Sequence, residues 1–167
     1  MAIEPPKPGQ VIGYRYLWWS EHRRGQEEAA KHRPCAVVYT LESKTGKSRV
    51  YVLPITHTKP IESENGVELL SQWKRHLGLD DAPSWIITSE LNHFEWPGPD
   101  ISGVSAGAIS KGFLPHKVTT RLRDMIRTRV REKNISTVDR DFDVQKARDE
   151  LRQQQNPAAD NDRGPRR

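Results

Sequence analysis

Hydrophobic residues come in short β-prone runs as far as Leu114, and the period turns helical from Pro115 onward. Cys35-Ala36-Val37-Val38-Tyr39 and Arg49-Val50-Tyr51-Val52-Leu53-Pro54-Ile55-Thr56 flank Lys44-Thr45-Gly46-Lys47. Two such runs around a Gly-containing turn predict an antiparallel hairpin, with Gly46 at positive φ. Gly9 to Trp19, rich in aromatics, reads as a first strand, and Ser20 to His32 as a long polar loop. Further short strands are expected at Gly66–Leu69, Ser84–Thr88 and Ala108–Ser110. Ser71 is the expected N-cap of a helix over 72–77 that Gly78 closes. Leu114, Val118, Leu122, Met125 or Ile126, and Val130 form one apolar helical stripe, and Arg123, Arg127 and Arg131 a second stripe.

These patterns divide the chain into a Pro-rich N-terminal extension (1–8), a folded domain (9–133) and a charged, largely disordered tail (134–167). Within the tail, 135–155 reads as weak helix or coil and 156–167 as disordered. Hydrophobic content of 34% and a mean hydropathy of −0.82 leave a core that uses only part of the chain. No run approaches the ~20 apolar residues of a membrane helix, and the N-terminus lacks a signal peptide's apolar stretch. A cytoplasmic protein with no membrane partner is the expectation. Cys35 stands alone, which rules out an intramolecular disulfide, and its apolar run favours an inert core thiol.

Net charge is +5, from 27 basic and 22 acidic residues. Lys117 to Lys133 hold seven basic and two acidic residues, leaving 20 of each sign elsewhere. The excess thus maps to the C-terminal helix, which fits an anionic partner or a solvated helix face equally well.

In the hairpin, Arg33 and Thr56 should lie near each other, at the end opposite the turn. A guanidinium beside a hydroxyl suits a phosphate or carboxylate, though spacing alone favours an Arg paired with a nearby carboxylate and a Thr that closes a strand. The six histidines show no spacing that favours zinc, and no phosphate-binding Gly loop or nucleophile elbow is present. No cofactor is expected. Glu27, Glu28 and Glu90 are scattered and read as solvated. Of the five Trp, Trp18 and Trp19 at the loop edge are the candidates to stack on a base. The loop that ends at Arg33 is placed to fold over whatever Arg33 binds, which adds Arg23, Arg24, Glu27 and Lys31 as candidate contacts to that ligand.

With these residues laid out, the chain from roughly Gly9 to Val130 resembles the MazF/PemK family of toxin endoribonucleases. Gly9-Gln10-Val11-Ile12 matches the family's strand entry. Gly25-Gln26-Glu27-Glu28 followed by Arg33-Pro34 matches its loop, with one extra residue and Glu28 in place of Gln. Pro54-Ile55-Thr56 matches its Pro-x-Thr, Gly112 the Gly before its terminal helix, and Ser89 to Phe94 its Asp-Gln segment loosely. The Trp96–Asp100 loop and the tail depart from the pattern. The resemblance implies a mainly β protein with a C-terminal helix, a small SH3-like, strongly curved antiparallel sheet. It implies a homodimer, a cognate antitoxin protein, and metal-independent cleavage of single-stranded RNA by 2′-hydroxyl attack. It places Arg33 and Thr56 at the catalytic positions, and His57 beside them is a candidate auxiliary acid or base. The alternatives are a non-catalytic toxin of the same fold that binds gyrase, as CcdB does, and a nucleic-acid-binding module that has lost catalysis.

Overall fold

The computed structural model describes residues 3–29, 31–105, 107–141 and 144–155. Its longest pairing is the expected hairpin, β2 (Arg33–Glu42) with β3 (Ser48–Thr56). The tip turns at Gly46, φ 81°, a conformation that glycine adopts without steric cost. Ala36, Val38, Leu53 and Ile55 go to one face, and Cys35, Val37, Val50 and Val52 to the other. All eight are buried, which is why the runs read as continuously apolar rather than alternating.

β1 (Gln10–Tyr14) lies along β2, and β7 (Ser110–Phe113) lies along β1. The other edge of β3 is shared. β6 (Glu90–Glu95) pairs with its Arg49–Val52 half, while β5 (Ser84–Ile87) pairs with Ile55 and Thr56 and carries β4 (Gly66–Leu69). The result is a mainly β protein with a strongly curled antiparallel half-barrel sheet and a few helices. These are α1 (Trp19–Arg23), α2 (Ser71–His76), α3 (His116–Arg131) and α4 (Val144–Gln155).

Leu114, Val118, Leu122 and Ile126 pack on the face that carries Val11, Ala36, Val38, Leu53 and Leu91. The opposite face buries Ile12, Tyr14, Tyr16, Phe94, Trp96 and Ile101, with Tyr14 stacked on Phe94 at 4.4 Å. Each fully buried side chain of this size contributes roughly 1.5–3 kcal/mol. The N-terminal extension is tied down here: Trp96 Nε1–H donates to the Ile3 carbonyl (2.8 Å) and the Thr40 hydroxyl to the Pro6 carbonyl (2.6 Å).

Several sequence expectations are corrected. The first strand stops at Tyr14 because Tyr16 to Trp19 turns away into α1, inside the segment read as loop. The cap of α2 is Leu70, with no side-chain bond, so Ser71 is its first helical residue. The last short strand falls at Ser110–Phe113, two residues later than expected. Val130 is 57% exposed, and Arg129 is buried in its place, bonded to the Glu64 and Asn134 carbonyls and to Asn65 Oδ1.

The largest correction concerns 134–167. β8 (Ser136–Asp139) joins the sheet parallel to β6, the one parallel pair among the described strands, and Val138 is 2% exposed. Arg140 donates to the Arg15 carbonyl and reaches Asp100 at 3.2 Å. Charge hid this strand: Asp139 and Asp141 pair Arg49, so the edge is polar while its one apolar residue is core. Residues 144–155 are helical, and the expected disorder of 156–167 lies outside the described residues.

Candidate functional site

The ladder between β2 and β3 ends at Cys35↔Pro54. Two residues further on, Arg33 stands opposite Tyr14 of β1, while Thr56 stands opposite Trp85 of β5. The hairpin strands therefore part, each following a different neighbour. A cleft of about 840 Å³ opens at their base, within the range of roughly 300–1,000 Å³ typical of ligand sites. Trp18, Lys31, Arg33, Thr56 and His57 all line it, so five of the nine residues singled out from the sequence meet in one place.

Arg33 is half-buried, with its guanidinium carbon 4.9 Å from the centre of the Trp18 ring. Its Nε is buried without a hydrogen-bond partner. Among the described residues only one other side-chain nitrogen is left so, Arg123 Nε over Tyr39. Among the described residues no carboxylate pairs Arg33, which argues against the ion-pair reading that the sequence left open. An unpaired, partly desolvated guanidinium held against an indole is a preformed acceptor site for an anion.

Trp18 owes its position to β6. Asn92, fully buried, takes the Leu17 N–H on Oδ1 and donates Nδ2–H to the Leu17 carbonyl, both at 2.8 Å. Glu90 Oε1 accepts the Tyr16 O–H and the Trp19 N–H, each at 3.0 Å. Glu90 is thus a half-buried brace for the strand-to-helix turn rather than a solvated acid. Burial pushes its carboxyl above the usual range, against the two hydrogen bonds that pull it down. Tyr16 in turn meets the Trp18 ring edge-on at 5.2 Å.

On the opposite wall, Thr56 Oγ1 accepts the Thr58 N–H at 3.2 Å, an ST-turn that fixes the hydroxyl. His57 is exposed, and its Nε2 lies 2.8 Å from Asp80 Oδ2. Asp80 also receives the ammonium of Lys74 at 2.6 Å, and Lys74 is 2% exposed. Lys31, Arg33, Lys59 and Lys74 line the cleft against a single carboxylate, Asp80, so the cleft favours an anionic ligand. The basic segment on α3 lies elsewhere, and two of its arginines, Arg123 and Arg129, are engaged within the fold.

Trp19, Arg23, Arg24 and Glu27 are not brought to the cleft. Trp19 packs with Leu17, Ala29 and Val138, and the Arg24 Nε–H donates to the Ser20 carbonyl of its own helix. Lys74 and Asp80 were missed, because a Lys inside a polar helix and an Asp in a turn carry no sequence signal. Cys35 is fully buried, and burial pushes its thiol far above the ordinary range, as expected of an inert core residue. Among the described residues, no group of three His, Cys, Asp or Glu could hold a metal ion. No protein-family model matches this chain, and no curated protein matches it. No helix among the described residues is long and apolar enough to cross a membrane.

Proposed function

We propose that this chain is the toxin of a type II toxin–antitoxin pair, a MazF/PemK-like endoribonuclease with an SH3-like sheet that cuts single-stranded RNA without a metal. The observation that carries the reading is the unpaired Arg33 guanidinium, held over Trp18 in a cationic cleft that it shares with Thr56 and His57. Phosphodiester cleavage by the neighbouring 2′-hydroxyl needs little else. The O2′–P bond forms, the P–O5′ bond breaks, and negative charge builds on the phosphoryl oxygens in between. In this reading the Arg33 fork of donors takes up that charge, and the Thr56 hydroxyl donates to one of the oxygens. The products are a 2′,3′-cyclic phosphate and a 5′-hydroxyl end. The reading includes a homodimer and an antitoxin protein that blocks the cleft.

Incubation of the purified protein with mixed single-stranded RNA in EDTA, followed by mapping of both ends, tests this directly. Arg33→Ala should slow cleavage on the order of 100-fold, as loss of a preorganised donor does. Arg33→Lys should not restore it, because a point charge does not reproduce the fork. Thr56→Val keeps shape and removes the hydroxyl, so turnover should fall with little change in binding. Parental rates in folded Arg33→Ala and Thr56→Val proteins would end the assignment. RNA binding without cleavage would favour the nucleic-acid-binding alternative, and inhibition of gyrase the CcdB-like one.

A further inference from the structure

We propose that Asp80, locked by the buried Lys74, is the positioning residue that holds His57 with Nδ1 open to the cleft, where His57 takes the proton of the attacking 2′-hydroxyl. The proposal rests on the ribonuclease reading above and assigns its missing base. Lys74 lies in the last turn of α2, yet its side chain is only 3% exposed. Burying an ammonium is costly unless it is paired, and the partners found are Asp80 Oδ1 at 2.6 Å and the Ala82 carbonyl. The Ala82 N–H also donates to Oδ1, at 3.1 Å. Oδ1 of Asp80 is therefore held from two sides, and His57 Nε2 lies against both carboxylate oxygens, 2.8 Å from Oδ2 and 3.1 Å from Oδ1. An ordinary surface pair gains little and is fixed by nothing behind it. Here the carboxylate is anchored to a buried group, so the geometry at His57 is set from within the fold.

The chemistry follows from the acceptor. The Lys74 hydrogen bond, foremost, holds the Asp80 carboxyl below its usual range, so it is an ionised acceptor at neutral pH. A carboxylate at Nε2 places the hydrogen there and leaves the Nδ1 lone pair free. When the 2′-hydroxyl attacks, the O–H bond breaks and a bond to Nδ1 forms. The imidazolium then lies beside Asp80, while the departing 5′-oxygen takes a proton from solvent. Lys31, His32, Arg33, Lys59 and Lys74 also line the cleft around His57, and Asp80 is the one carboxylate that offsets them.

The tautomer of His57 is read by long-range ¹H–¹⁵N correlation on the full labelled chain, alongside kcat and KM for RNA. The parent should hold neutral His57 wholly as the Nε2–H tautomer, and Asp80→Ala should show a mixture of both. In Asp80→Ala, kcat should lose a large part of the about 100-fold that a general base supplies, with KM within about twofold. Lys74→Met should move both readouts the same way. Asp80→Ala strands the buried Lys74 ammonium, so Asp80→Asn is the second variant: it keeps an amide oxygen for Lys74 and turns an N–H toward His57, which should favour the Nδ1–H tautomer and lower kcat. An Nδ1–H tautomer in the parent, an unchanged tautomer in Asp80→Ala, or an unchanged kcat in an active Asp80→Ala protein would each overturn the proposal. If the parent cuts no RNA, the ribonuclease reading falls and takes the proton-transfer role with it. The tautomer then decides by itself whether Asp80 orients His57.

Discussion

Glu90 and Arg33 are two half-buried charges used in opposite ways. Arg33 is left without a hydrogen-bond partner at Nε and opens on the cleft, whereas Glu90 spends its acceptor capacity on Tyr16 and Trp19. The Glu90 carboxyl is raised by burial, so the folded protein holds that proton more tightly than the unfolded chain. Its contribution to stability is therefore complete below the ordinary carboxylate range, near pH 4.3, and is lost as pH rises through the folded value. Glu90→Gln keeps an acceptor and removes the charge. It should melt at or above the parent at pH 7, and the difference should vanish on acidification toward pH 4. Glu90→Leu removes the acceptor and should cost about 1–3 kcal/mol by chemical denaturation, since it strands a buried hydroxyl and a backbone N–H. A Glu90→Gln protein that melts well below the parent at neutral pH would mean that the charge itself is needed there.

At the scale of elements, β8 shows how a short polar strand becomes structural. It supplies one buried valine, a parallel ladder with β6, and acids that pair Arg49. A largely disordered tail over 134–167 would be dispensable for folding. The opposite is now expected, and a truncation after Lys133 should lose several kcal/mol or its cooperative melt, through Val138, the ladder and the Arg140–Asp100 pair. A cooperative parental melt in that truncation would refute it. His93, in β6 beside β8, adds a pH dependence. Its Nδ1 accepts the Arg49 Nε–H at 2.8 Å, and its ring stacks on Tyr51 at 5.1 Å, with Asp139 and Asp141 beyond Arg49. Burial, and then the Arg49 charge, lowers the His93 proton affinity from its usual 6.5. The unfolded chain thus binds this proton first as pH drops, and stability present above about pH 6.5 is lost through the folded value. Melting temperatures measured from pH 7.5 to 5 should fall more steeply in the parent than in His93→Gln.

For the whole molecule, the half-barrel buries most of the apolar α3 stripe, so little of it is left for the homodimer that the resemblance implies. Leu114, Val118, Leu122 and Ile126 are core, which leaves Val130, with Phe113 of β7 at the sheet edge, among the exposed apolar groups. A homodimer is still expected under the proposed function, through the apolar groups that remain exposed. Sedimentation at tens of micromolar, a scale set by ordinary interface affinities, should show it, and a pure monomer would count against it. The fold also redistributes charge. Residues outside α3 balance in number, yet four cations and one carboxylate from separate segments converge on the cleft. Raising the salt concentration should therefore weaken RNA binding even in a variant that has lost the exposed Arg127 and Arg131 of α3.

The sequence alone determined the hairpin, most of the strands and the long helix, and it put Arg33 and Thr56 at the same end of the hairpin. Each of these follows from local period or from antiparallel geometry, in which the start of one strand must meet the end of the next. Only the tertiary structure decided what happens past Cys35 and Pro54, where the two strands follow different neighbours and open a cleft between them. It also turned Trp18 toward the cleft and Trp19 away from it, through Asn92 and Glu90, residues more than 70 positions away along the chain. β8, the buried Lys74 and the Asp80–His57 pair were illegible for the same reason. A polar side chain shows its role only through its partner, and hydrophobic period says nothing about which distant charge or carbonyl that partner will be.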